Sequence, residues 1–214
     1  SGEPVIAIYV FTPEQHRQHQ VGDTKLRFTL ETLVELKRDL AQLNIPLMAL
    51  LGTDYASSVR IVTKLAQRYN VTTVHANREL ALNEQQRDLK AEIALQQAAT
   101  PIYFYQDQTI LSPSKVLTGE ATPYRVFTPF KRAWIKRITQ VDLDTLQRPH
   151  KRPHAHSEST PDEEILSWQA PTEANKHWVA GSDEAHKRLD LFTQSAIERY
   201  KNERDFPALN STSQ

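Results

Sequence analysis

Asn83 and Glu84, side by side in the run LNEQQRD, are the residues of this chain best suited to hold a ligand. They fall where a helical stretch follows a strand-like run, a usual ligand position in open α/β sheets. An amide both donates and accepts hydrogen bonds, whereas a carboxylate only accepts, so the pair can meet both kinds of polar group. A purely structural account also exists: Asn83 capping the helix and Glu84 complementing its positive end. His16 and His19 lie in a polar stretch expected to be a loop over residues 12–23. Tyr200, on the last helical stretch, suits packing. His150, His154 and His156 are close enough in sequence to suggest a metal triplet, but their segment supplies no second shell or rigid scaffold.

These groups must be positioned by regular elements, and the apolar spacing shows which. VIAIYVF, Val5 to Phe11, is a nearly continuous β-branched and aromatic run, as in a strand covered on both faces of a parallel sheet. Leu26, Leu30, Leu33, Leu36, Leu40 and Leu43 recur at helical spacing up to Pro46. Leu47–Leu51 reads as a second strand, and residues 57–69 as a helix with Val59, Val62, Leu65, Ala66 and Tyr69 on one side. A third strand is expected over 71–74, a helix over 83–98 and a fourth strand over 102–105. Strands alternating with helices imply an α/β fold, a doubly wound parallel sheet with flanking helices.

The segment VLTGEATPYRVFTPFKRAWIKRI, residues 116–138, spaces Tyr124, Phe127, Phe130 and Trp134 by three, three and four, which predicts one buried helical face. Thr128 is the expected N-cap and Pro129 opens the first turn. Lys131, Arg132, Lys136 and Arg137 fall opposite. Beyond it, QRPHKRPHAHSESTPDEE has no apolar period and reads as a linker. The expected division is therefore an α/β domain over 1–138, a linker over 139–182 and the start of a helical segment over 183–214. There Ala185, Leu189, Phe192, Ala196 and Tyr200 form a stripe, with Asp183 and Glu184 in the first turn.

Composition narrows the class further. With 214 residues there is room for one α/β domain and an appendage. Lys plus Arg and Asp plus Glu are both 26, so no global field draws the chain to nucleic acid or membrane. Cysteine is absent, which removes disulfides, thiolate metal sites and a cysteine nucleophile. No run reaches the length of a membrane span and no signal peptide precedes the first strand, so the cytoplasm is the expected location. A generic nucleotide-binding module would carry G-x-G-x-x-G, and none of the five glycines forms it.

Four segments, in order, resemble one family: VFTPEQHRQH, ANRELALNEQQRD, the 116–138 segment with its PYxVFTPFxxAW pattern, and YKNERDFPALNSTS. The chain resembles the N-terminal domain of DNA photolyases and cryptochromes, and is most similar to class I cyclobutane-pyrimidine-dimer photolyases that carry a methenyltetrahydrofolate antenna. The resemblance implies light-driven electron transfer from reduced flavin (FAD) to a flipped-out pyrimidine dimer in UV-damaged DNA; a blue-light photoreceptor of the cryptochrome type is the alternative. It also implies a monomeric parent that is longer at both ends. The family's first, central strand precedes this chain, so four strands of five are expected, with an open edge through which the fragment could self-associate. The catalytic helical domain follows it, so no catalytic residue is expected here.

By the same resemblance, Asn83 and Glu84 correspond to the pair holding the folate's pterin end and His19 to a loop histidine touching the folate. The family's Ser-Pro after that loop is Gly22-Asp23 here. Tyr200 corresponds to a tyrosine near the flavin phosphates, and Thr212 and Ser213 begin the phosphate loop.

Overall fold

A computed structural model describes residues 3–140, 147–153, 178–206 and 208–209. In chain order the elements are β1 (Ala7–Phe11), α1 (Pro13–Gln18), α2 (Asp23–Gln42), β2 (Leu47–Leu51), α3 (Tyr55–Arg68), β3 (Val74–Asn77), α4 (Leu82–Gln97) and β4 (Ile102–Tyr105). A 3-10 turn (Pro113–Lys115) leads to α5 (Phe127–Ile138); then come α6 (Ser182–Leu191), a π-helical turn (Phe192–Ala196) and α7 (Tyr200–Glu203). The chain forms two compact units, Ser1–Leu51 with Pro149–Gln214, and Gly52–Arg148.

In the first unit β1 and β2 pair in parallel, Ala7 opposite Leu47 through Phe11 opposite Leu51. β2 is buried over Leu47, Met48 and Ala49, as a two-sided strand should be. β1 is less covered than its composition predicts, with Ile8 39% exposed. The core gathers at its end, where Phe11 packs with Leu26 of α2 and Ala49 of β2 against Tyr9, Val21 and Leu30.

Residues 13–18 of the polar stretch expected as a loop over 12–23 are helical, and a turn within 19–22 leads on to α2. Pro13 sits in the first turn with its φ already near the helical value, Glu14 complements that end, and Arg17 lies in the last turn. This turns the His16 ring to 5.3 Å from Phe11. Burial, then the charges of Lys25 and His19, hold the His16 imidazole below its ordinary value. The unfolded chain then takes up a proton near pH 6.5 and the folded one only at lower pH. Stability should be full above about pH 6.5 and fall as the pH drops below it. Urea midpoints at pH 7.5 and 5.0 should differ less in His16→Gln than in the parent, and equal differences would refute this.

Two described stretches of the later part of the first unit contact α2 and the turn that ends it. Arg152 N–H donates to the Leu43 carbonyl at 2.9 Å, and the Asn44 side chain donates to the Arg152 carbonyl at 2.6 Å. The Ser182 hydroxyl donates to the Asp39 carboxylate at 3.1 Å. Gly181, just before α6, has φ +110, and a Cβ there would meet Cγ of Glu35 at 3.3 Å, so both conformation and space call for glycine. The expected stripe on the last helical segment is realised only at Ala196, buried, and Phe192, half-buried; Ala185, Leu189 and Tyr200 are exposed, Leu189 to 56%. The π turn over Phe192–Ala196 shifts the phase of Tyr200, the one stripe residue beyond it.

In the second unit β3 and β4 pair in parallel, Val74 opposite Ile102 through Asn77 opposite Tyr105. The third strand therefore starts at Val74, where the apolar pattern predicted residues 71–74. Val71 belongs instead to the end of α3: its N–H donates to the Ala66 carbonyl at 2.8 Å, and Asn70 before it has φ 48. That is a Schellman ending, which uses the first apolar residue of the expected strand. α3 itself starts earlier than expected, at Tyr55, because Asp54 and Ser57 form a reciprocal capping box.

α5 begins at Phe127 with Val126 at its N-cap, so Thr128 is not the cap and Pro129 is the third helical residue. Phe130 and Trp134 are half-buried, but Phe127 is 72% exposed, a correction to the single buried face. Tyr124 meets Phe130 edge-on at 6.3 Å.

The mixed α/β class with parallel strands and flanking helices is as expected, as is the total of four strands among the described residues. None of the described residues within 1–4 or 139–181 joins a strand. Among the described residues, β1 has only β2 as a strand neighbour and β3 only β4.

Candidate functional site

The site is built where α4 starts, in the loop that leaves the carboxyl end of β3. Ala81 is the N-cap of α4 and has no side chain with which to cap. Asn83 is therefore the second helical residue and not the cap, which removes the capping account of this asparagine. Glu84 is in the first turn, where the helix dipole favours its charge.

Glu84 is held by more than the dipole. The Tyr55 hydroxyl, from the first residue of α3, donates to Oε1 of Glu84 at 2.5 Å. Desolvation, followed by the hydrogen bond to Glu84 and its charge, pushes the Tyr55 phenol up to about 12. Tyr55 thus remains protonated, and a donor, throughout the neutral and mildly alkaline range. The Arg87 guanidinium lies over the Tyr55 ring, 5.3 Å from its centre. Arg87 in turn donates to Oδ1 of Asp88 from Nε at 3.1 Å and from Nη2 at 2.7 Å.

Asp88 is the buried anchor of the group, only 3% exposed. Its Oδ2 accepts the Glu79 N–H at 3.2 Å, which ties the β3–α4 loop to α4. The loop has further clamps. Leu80 N–H donates to Oε1 of Gln108 at 3.1 Å, the Gln108 amide donates to the Glu79 carboxylate, and Gln85 donates to the Leu80 carbonyl at 2.7 Å. The start of α4 is thus fixed by side chains from α3, from α4 itself and from the loop after β4. A carboxylate and an amide presented this way can pair with a ligand edge that carries N–H donors as well as an acceptor.

The other residues singled out from sequence lie elsewhere. His19 ends α1 in the first unit, exposed, with its Nε2 2.8 Å from Gln15 Nε2. Tyr200 is the first residue of α7, its ring edge-on to Phe192 at 5.9 Å. Thr212, Ser213, His154 and His156 lie outside the described residues. Tyr55, Arg87 and Asp88 went unnoticed in the sequence. A signal for two of them was present: Arg87 and Asp88 are in helical phase with the buried Leu95, while Leu82, Leu89 and Ile93 are 69%, 57% and 48% exposed. Charged residues on the inward face of a helix are uncommon enough to mark a site.

Parallel strand pairs flanked by helices, with polar groups held at the carboxyl end of one strand, define an α/β domain with a candidate ligand position at the start of α4. The chain belongs to the DNA photolyase family, whose sequence profile matches residues 1–153. It is 34% identical over 216 residues to the deoxyribodipyrimidine photo-lyase of Vibrio cholerae, covering 100% of this chain and 46% of that protein. It is 31% identical over 213 residues to the enzyme of the same name from Escherichia coli, covering 100% of this chain and 44% of the relative. The chain thus spans less than half the length of these curated relatives.

Among solved structures, a bacterial class III photolyase from Agrobacterium tumefaciens matches with a TM-score of 0.79 at 23% identity, over 98% of this chain and 43% of that one. A Synechocystis cryptochrome matches at 0.71 and 16% identity, over 95% and 44%. At these identities the two structures establish the fold. Among the described residues, no helix is long and apolar enough to cross a membrane.

Proposed function

We propose that this domain carries the folate half-site of a deoxyribodipyrimidine photo-lyase, an enzyme that splits cyclobutane pyrimidine dimers in UV-damaged DNA by electron transfer from reduced FAD. The observation that carries the folate reading is Glu84, fixed by Tyr55 in the first turn of α4 beside Asn83. A pterin presents an amino group and ring N–H donors next to a carbonyl, a set that a carboxylate and an amide complement. The donor set therefore fits the pterin end of 5,10-methenyltetrahydrofolate. Bound there, the folate would supply near-ultraviolet light absorption to the parent enzyme.

The chain's own residues bind and orient. Glu84 accepts from the pterin donors, Asn83 supplies an amide to the polar edge, and Asp88 keeps the loop beneath them in place. His19 is a proposed folate contact on the resemblance alone. Tyr200, Thr212 and Ser213 are, on the same ground, proposed contacts of the flavin phosphates. None of these is assigned a catalytic role. The edge of β1 that has no strand partner among the described residues is a proposed route to self-association of this chain, with the parent expected as a monomer.

The test is a titration of the chain with 5,10-methenyltetrahydrofolate, followed by absorbance and fluorescence. The parent should bind, and Glu84→Ala should bind about tenfold or more weakly, the effect of losing one charge-assisted hydrogen-bonding partner. Equal binding by both proteins would overturn the assignment of Glu84.

A further inference from the structure

We infer that Tyr55 is a positioning residue for Glu84, and that the pair makes this site select a 2-amino heterocycle over its 2-oxo counterpart. The inference rests on the folate reading above. It begins with the distance in sequence between the partners: Tyr55 and Glu84 are 29 residues apart, yet their side chains meet at 2.5 Å. Tyr55 opens α3 and Glu84 lies in the first turn of α4, and each of these helix starts is fixed independently. For α3 the fixing is the capping box, in which Ser57 N–H donates to Oδ1 of Asp54 at 2.7 Å and Asp54 N–H donates to Oγ of Ser57 at 3.0 Å. For α4 it is the loop tied to buried Asp88. The phenol ring between them is covered by Arg87, itself bound to Asp88. A hydroxyl held in this way has little freedom to follow Glu84. The carboxylate must instead keep the orientation the hydroxyl allows.

The chemistry follows from what each group can do. Tyr55 donates, so Glu84 accepts, and the carboxylate then offers a ligand acceptors and no donors. A 2-amino-4-oxo pyrimidine ring places an amino group and a ring N–H against such an edge. Its 2-oxo analogue replaces the amino group with an acceptor, leaving two acceptors face to face. Sites built around a ligand's hydrogen-bonding group discriminate strongly against analogues lacking it, because their own polar atoms lose a partner. A loosely held carboxylate could rotate away from the mismatch; one braced by Tyr55 cannot. Tyr55→Phe removes only the hydroxyl and retains the ring beneath Arg87, which makes it a clean variant.

The experiment uses the full 214-residue chain. Binding of 5,10-methenyltetrahydrofolate is measured directly, and tetrahydrofolate is then competed against its 2-deamino-2-oxo analogue. The parent, Tyr55→Phe, Glu84→Gln and the double variant are compared. Tyr55→Phe should weaken methenyltetrahydrofolate about tenfold, within the range of a hydrogen bond to a charged group. It should also shrink the preference for the 2-amino ligand by a similar factor, a readout that a loss of stability alone would not move. In the Glu84→Gln background, removing the hydroxyl should have no further effect on the preference. If Tyr55→Phe weakens both ligands equally or neither, Tyr55 does not position Glu84 and the inference fails while the folate reading stands. If the parent itself binds no folate, the folate reading fails and this inference fails with it.

Discussion

Replacing Phe11 with alanine should destabilise the first unit by about 3–5 kcal/mol, the usual range for deleting a fully buried ring. Phe11 is 0% exposed and ends β1, where the strand gives way to α1. Its ring fills the space between Leu26 and Ala49 and supports Tyr9, Val21 and Leu30. Strand pairing fixes the residues at its back, since Phe11 stands opposite Leu51, so the cavity cannot collapse by moving β1 alone. A domain of this size is stable by only about 5–15 kcal/mol, so the loss would consume a large share of it. Phe11→Leu, which retains most of the apolar volume, should lose much less, about 1–2 kcal/mol. Urea unfolding of the three proteins at pH 7.5 measures both differences. A loss below about 1 kcal/mol for the alanine variant would show that this cluster is not the core of the unit.

That core was legible in part, because apolar spacing marks which residues can be buried together. Leu47–Leu51 and Ile102–Tyr105 are strands with the expected limits, α2 lies where the leucine spacing placed it, and α4 lies within one residue of the expected 83–98. What the pattern could not show is how the helices end. Gln20, Asn44, Asn70 and Ala99 all take positive φ at the close of a helix, positions where glycine is usual. In each case the next residue's N–H returns to the helix: Val21 to His16, Ile45 to Leu40, Val71 to Ala66 and Thr100 to Leu95. A chain with only five glycines leaves these stops unmarked, which is why β3 was placed three residues early. The short α1 was missed for a related reason, because it has too few residues to display a period.

The site was legible in part and for mixed reasons. Asn83 and Glu84 stand out because they follow a strand and open a helix, but their supports do not. Tyr55 lies 29 residues upstream of Glu84, and only folding brings the two together. Asp88 could have been found from helical phase, since a charged residue aligned with Leu95 must either be exposed or have partners. Phe127 shows the converse error. Its spacing fits a buried face, yet it stands 72% exposed as the first residue of α5.

Asp88→Ala is the substitution expected to affect fold and site together. The Asp88 carboxylate is buried and accepts hydrogen bonds from Glu79 N–H and from two nitrogens of Arg87. Alanine would leave a backbone donor without its partner inside the protein and deprive the guanidinium of its counter-charge. Orphaning a buried donor costs about 1–3 kcal/mol, and charged partners raise the figure, so a loss of about 2–4 kcal/mol is expected for the second unit. Asp88→Asn tests which bond matters more. Its amide oxygen can still accept from Glu79, but its NH2 group would face the Arg87 donors, so it should retain the loop and lose the guanidinium. If the loop clamp dominates, the asparagine variant should bind 5,10-methenyltetrahydrofolate nearly as well as the parent, while the alanine variant binds at least tenfold more weakly. If instead Arg87 matters chiefly by covering Tyr55, both variants should weaken binding to the same degree. Urea midpoints measured beside the titrations separate the two contributions, because the loop clamp acts on stability and affinity together and the Arg87 contact acts mainly on affinity.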